Sequence, residues 1–117
     1  MIEIIYDRTG NKVSIQGHAG AGAYGEDVVC AGVSTLAQTL AANVRHWRAT
    51  GRLEGEPEIQ LESGFGVIGC TPKATYSQSV KQVMVAICAG FEIIAHTAPK
   101  YVRFGIGSTE DDPQWVE

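Results

Sequence analysis

The sequence contains no apolar stretch approaching the roughly 20 residues that a membrane-spanning helix needs, which excludes an obvious transmembrane segment. Its start, Met1-Ile2-Glu3-Ile4-Ile5, has neither the basic opening nor the small-residue cleavage site of a signal peptide, so a cytoplasmic location is the expectation. Cysteine is scarce: Cys30, Cys70 and Cys88 are odd in number and form no Cys-x-x-Cys pair. That argues against a disulfide framework. No two ligand-type residues stand at a short zinc spacing either, so neither a metal nor any other cofactor is expected. The nine Lys and Arg residues are scattered, and the net charge is −4. Without a basic stripe, direct binding to nucleic acid is not expected. The acidic balance aids solubility and would favour approach to a basic partner. No internal repeat or linker divides the chain, so its 117 residues are read as one domain, long enough to bury a core unaided.

What is present is a regular succession of apolar patterns. Residues 2–7 are rich in isoleucine and residues 12–17 alternate through Val13 and Ile15. With Thr9-Gly10-Asn11 between them they read as a hairpin. From Asp27 to Thr50, Val29, Val33, Leu36, Leu40, Val44 and Trp47 recur at steps of three or four, the mark of a helix with one buried face, and Gly51 stops it. Glu58 to Glu62 and Phe65 to Cys70 read as two short strands around a Ser63-Gly64 turn. Beyond Pro72 a second helix spans about Tyr76 to His96, burying Val80, Val83, Ile87, Phe91 and Ile94. Residues 101–106 alternate as a last strand, and the acidic segment 108–117 is expected to be a loosely held tail. The order β-β-α-β-β-α-β predicts an α+β domain in which two amphipathic helices cover an antiparallel or mixed sheet of about five strands.

One segment departs from this patterning. Gly17-His18-Ala19-Gly20-Ala21-Gly22-Ala23-Tyr24-Gly25-Glu26-Asp27-Val28-Val29-Cys30 joins the second strand to the first helix. A loop so rich in glycine has little to pack. With Asp27 at the helix N-cap, Cys30 falls in the first turn, where unpaired N–H groups and the helix dipole favour a thiolate. An imidazole such as His18 can take the thiol proton and later deliver it to a leaving amine. N–H groups near Val29 and Cys30 are placed to receive an oxyanion. At 100° per residue, Asp27, Cys30 and Ser34 form a stripe about 120° from the apolar centre. Cys30 therefore sits on the flank of the helix rather than in its buried face.

Blander readings exist for each residue. A cysteine is most often inert, and a histidine after a strand is often a bonded loop residue. Asp27 reads as a cap whose charge would raise a neighbouring thiol's pKa. Ser34 reads as a side chain bonded back to the Cys30 carbonyl. The other candidates are weaker. Cys88 lies at the edge of an apolar helix face, Cys70 ends a strand, His46 is on a polar side, and His96 is near a helix C-terminus. Gly20-x-Gly22-x-x-Gly25 spells a dinucleotide fingerprint, but its strand belongs to a hairpin and the next strand begins only near Glu58.

The run Gly17-His18-Ala19 followed by Gly25-Glu26-Asp27-Val28-Val29-Cys30-Ala31-Gly32-Val33-Ser34 resembles the ribosomal-processing cysteine protease family, Prp, in motif and in the interval of 12 between His18 and Cys30. The resemblance implies a nucleophile at Cys30, a base at His18 and supporting roles for Asp27 and Ser34. It also implies a substrate loop containing Gly20, Gly22, Tyr24 and Gly25. It further implies an endopeptidase that removes the N-terminal extension of large-subunit ribosomal protein twenty-seven after a short hydrophobic motif, working as a homodimer. The alternative is a non-enzymatic ribosome-assembly or protein-binding module in which Cys30 is incidental.

Overall fold

The structure is a computed structural model that describes residues 1–17, 24–108 and 113–117, without the side chains of residues 24–27. The elements in chain order are β1 (Ile2–Asp7), β2 (Lys12–Gln16), α1 (Tyr24–Ala49), β3 (Glu58–Glu62), β4 (Phe65–Gly69), α2 (Ser77–Thr97), β5 (Val102–Ile106) and β6 (Gln114–Trp115), with a single 3-10 turn at Ala74–Tyr76 before α2. The strands form one mixed sheet in the order β3-β4-β2-β1-β5-β6. Every pairing is antiparallel except β1 with β5. The α+β expectation holds, with six strands rather than about five.

Alternation along each strand decides which face is buried. Ile2, Ile4 and Tyr6 of β1, Val13 of β2, Ile68 of β4, and Val102 and Phe104 of β5 all point to one side. Two rows cross the sheet. Ile4 pairs with Ile15, Ile15 with Gly66, and Gly66 with Leu61, while Tyr6, Val13, Ile68 and Ile59 form the second. Both helices lie against that side. α1 contributes Val33, Ala37, Leu40, Val44 and Trp47 to the core, and α2 contributes Val80, Met84, Cys88, Phe91 and Ala95. The helices meet where small residues allow it. A Cβ at Gly90 would stand 2.9 Å from Leu36 Cδ1, and one at Gly32 would stand 3.2 Å from Ile94 Cδ1. Residues 74–97 are apolar enough, at a mean hydropathy of 1.3, to span a membrane by length and composition. The sequence reading overlooks that run, but in the fold its buried face completes the core.

The hairpin between β1 and β2 is tied by Asp7, whose carboxylate accepts hydrogen bonds from Thr9 N, Thr9 Oγ1 and Gly10 N. These bonds, the Thr9 hydroxyl first among them, hold the Asp7 carboxyl below its ordinary pKa. The tail, expected to be loose, is seated over its described end. β6 pairs Trp115 with Gly105, and the Arg103 guanidinium lies 3.7 Å from the Trp115 ring centroid while also pairing with Glu3. β6 thereby shields the free edge of β5.

Two helices do not cover six strands. α1 lies over β4, α2 lies over β5, and the inner face of β3 overhangs with Ile59 and Leu61 only half-buried. A cleft opens beside that overhang, along the first turns of α1.

Candidate active site

The cleft has a volume of about 420 Å³. Its helical wall is Cys30, Val33, Ser34, Ala37 and Gln38, successive positions on one flank of α1. Its sheet wall includes Ile15, Leu61 and Gly66, and Gly17 and the Ser63-Gly64 turn close one end. Cys30 is exposed, whereas Cys70 and Cys88 are buried. Burial pushes the Cys70 thiol up and the Cys88 thiol up to about 12. Both therefore stay protonated and inert across the physiological range. Of the three thiols, Cys30 is the one a substrate can reach, on the helix flank where angular spacing places it.

The helix start differs from the sequence reading. α1 begins at Tyr24, so Asp27 is not the N-cap, and Tyr24 and Gly25, assigned to the substrate loop, belong to the helix. Cys30 consequently sits in the second turn. The unpaired N–H groups of a helix are its first four, here those of residues 24–27, and the dipole effect fades beyond the first turn. The N–H groups of Val29 and Cys30 instead point back into the preceding turn as members of the helical ladder. They are not free to receive an oxyanion, contrary to expectation. The reason for the misreading is local: Gly25 resembles a helix breaker and Asp27 resembles a cap, yet the helix runs through both.

His18, Gly20 and Gly22 lie outside the described residues, as does the Asp27 side chain. The point from which His18 departs is described. Gly17 follows β2 with φ of +106°, and its N–H donates to the Gly64 carbonyl at 3.0 Å. A Cβ on Gly17 would overlap the Met1 carbonyl oxygen and come within 3.3 Å of the Met1 carbonyl carbon. Glycine is required there for both conformation and space. The residue before His18 is therefore pinned at the rim of the cleft that Cys30 lines.

Ser34, one turn beyond Cys30, faces the same cleft. It makes no hydrogen bond to the Cys30 carbonyl, whereas Thr35, Thr39 and Asn43 each bond back to the residue four before. Gln38, which sequence reasoning does not single out, extends the line. Its spacing of eight from Cys30 was the available signal. His46 and His96 are exposed and remote from the cleft lining, with His96 Nε2 3.9 Å from Glu92 Oε1. Among the described residues no group of His, Cys, Asp and Glu is placed to hold a metal ion. The dinucleotide reading fails on topology: both neighbours of β2 are antiparallel to it, and β4 separates it from β3, the strand that follows α1, so the segment before α1 does not join adjacent parallel strands as a dinucleotide-binding unit requires.

An exposed cysteine on a helix flank, opening onto a mainly apolar trough, suits nucleophilic attack on an extended chain. Comparison with known proteins agrees. Among solved structures, SMU.848 from Streptococcus mutans superposes with a TM-score of 0.62 at 26% identity over 90% of each chain. The essential ribosomal processing protease Prp from S. aureus, in complex with a covalently linked product peptide, superposes with a TM-score of 0.68 at 20% identity, covering 92% of this chain and 100% of that one. The same protease with a substrate peptide gives a TM-score of 0.64 at 20% identity, over 91% and 97% of the two chains. No curated protein sequence matches this chain. The model of the family described as cysteine protease Prp matches residues 1–103, which takes in every element but β6 and the end of β5. With an accessible thiol on the cleft and a family match over most of its length, the chain belongs to the cysteine protease Prp family.

Proposed function

We propose that this protease removes the N-terminal extension of large-subunit ribosomal protein twenty-seven, with Cys30 as nucleophile and His18 as proton carrier. The observation that carries the reading is the exposed Cys30 thiol on the wall of a mainly apolar cleft. His18 takes the Cys30 proton, and the thiolate adds to the scissile carbonyl. The tetrahedral intermediate collapses as His18 returns the proton to the leaving amine, which releases the downstream chain. Water, deprotonated by His18, then cleaves the thioester and regenerates the thiol. Ser34 lies one turn along the same wall. Asp27 serves in support of the pair.

The S. aureus enzyme, a ribosomal processing protease solved with a substrate peptide and with a covalently linked product peptide, supports a ribosomal substrate. Ribosomal proteins are basic, and the net charge of −4 on this chain favours their approach. The homodimer implied by the resemblance is part of the same proposal.

The test is incubation of the purified protein with the extended precursor, beside Cys30→Ala and His18→Ala. Cleavage by the wild type alone is expected. An intact precursor with the wild-type protein would overturn the substrate assignment.

A further inference from the structure

We infer that Gln38 is a substrate-positioning residue whose side-chain amide holds the peptide backbone three or four residues away from the scissile bond. The inference rests on Cys30 being the nucleophile and deepens that reading.

Cys30, Ser34 and Gln38 stand one turn apart along the cleft wall. Eight residues of helix put Gln38 about 12 Å from Cys30 along the axis. An extended peptide advances roughly 3.3 Å per residue, so a chain attacked at Cys30 passes Gln38 after three or four residues. The trough between them is apolar, with Val33 and Ala37 on one side and Ile15 and Leu61 on the other. Gly66 keeps its floor open. A Cβ there would lie 3.3 Å from Leu61 Cδ2 and 3.6 Å from Ile15 Cβ. A peptide laid in this trough surrenders water from its backbone groups, and each of those groups then needs a partner.

α1 separates two kinds of polar side chain. Thr35, Thr39 and Asn43, on the neighbouring stripe, satisfy themselves on carbonyls of their own helix at 2.7–2.9 Å. Gln38 makes no hydrogen bond to a described residue and lines the cleft, and its amide carries a donor and an acceptor side by side. Those are the two functions a peptide group offers in return. A glutamine kept merely for solubility has no need to sit in line with the nucleophile on the wall of the trough.

The test uses peptides sharing one scissile bond and lengthened residue by residue, first on one side and then on the other. Affinity is measured on Cys30→Ala with and without Gln38→Leu, and cleavage by the wild type is followed in parallel. Extension from two to four residues on one side should raise affinity for the Cys30→Ala protein. Gln38→Leu should remove about three- to ten-fold of that gain, the scale of one neutral hydrogen bond. N-methylation of the peptide amide at the third or fourth position should cause the same loss, with no further loss in Gln38→Leu. The inference is overturned if Gln38→Leu leaves the gain intact on both sides, or weakens all lengths equally. Cleavage without that length dependence overturns the role of Gln38 and leaves the protease reading standing. Length-dependent binding without cleavage overturns the protease reading and leaves Gln38 as a contact to a bound peptide, with no relation to a scissile bond.

Discussion

Replacing Gly17 with alanine tests the anchor that the fold provides immediately before His18. Gly17 has φ of +106°, a region that costs an L-residue roughly 1–2 kcal/mol. Its added Cβ would overlap the Met1 carbonyl oxygen, which is backbone of the adjoining strand end and cannot rotate away. Relief requires β2 and the start of β1 to separate, which threatens the 3.0 Å bond from Gly17 N to Gly64 O. That bond is worth about 0.5–1.5 kcal/mol. Together the two terms give a destabilisation on the order of 1.5–3.5 kcal/mol. Gly51 provides the control. It has φ of +74°, and a Cβ added there would meet nothing within 4 Å, so Gly51→Ala bears the conformational cost alone, about 1 kcal/mol. Urea unfolding with an unchanged m-value measures both. Gly17→Ala should also cleave more slowly than its residual folded fraction accounts for, because the anchor of His18 has moved. If Gly17→Ala is no less stable than Gly51→Ala, the crowding against Met1 has no energetic weight and the argument for the Gly17-His18 pair fails.

Thiol labelling of the native protein near neutral pH should modify one cysteine, Cys30, and denaturation should expose all three; early labelling at Cys70 or Cys88 would contradict their burial. Cys30→Ala should abolish cleavage while changing stability by no more than about 0.5 kcal/mol, as for other exposed sites, which circular dichroism during denaturation checks. The Cys88 thiol is raised in the fold from 9.0 to about 12, so over that window the unfolded chain gives up a proton that the folded one retains. Stability should therefore fall as pH rises from about 9, by up to roughly 1.4 kcal/mol per unit for this group. Cys88→Ala, although less stable at neutral pH, should show a shallower decline. Trp115→Ala should lower the melting temperature, at about 0.5–2 kcal/mol for the lost cation–π contact with Arg103, which keeps its pairing with Glu3. An unchanged melting temperature would mean that β6 adds nothing to the sheet.

The elements themselves were legible in the sequence because strand and helix periodicities are local. Ile2, Ile4 and Tyr6 alternate, Val33, Leu40 and Val44 recur, and both patterns hold in the fold. The flank position of Cys30 was legible for the same reason, since angular spacing along a helix needs no knowledge of what the helix packs against. The Gly17-His18 pair stood out as a motif, but the reason for its glycine did not, because the crowding atom belongs to Met1, just before β1. The start of α1 was misread because caps and breakers are weak preferences that a continuing helix overrides. Strand order was out of reach, since pairing is decided by contacts between residues far apart in the chain. That order places β3 at the edge of the sheet, beyond the cover of either helix. Sequence alone thus determined which thiol stands on an accessible helix flank, and the tertiary structure decided that this flank opens onto a trough. It did so because two helices bury the central strands and leave the inner face of β3 uncovered.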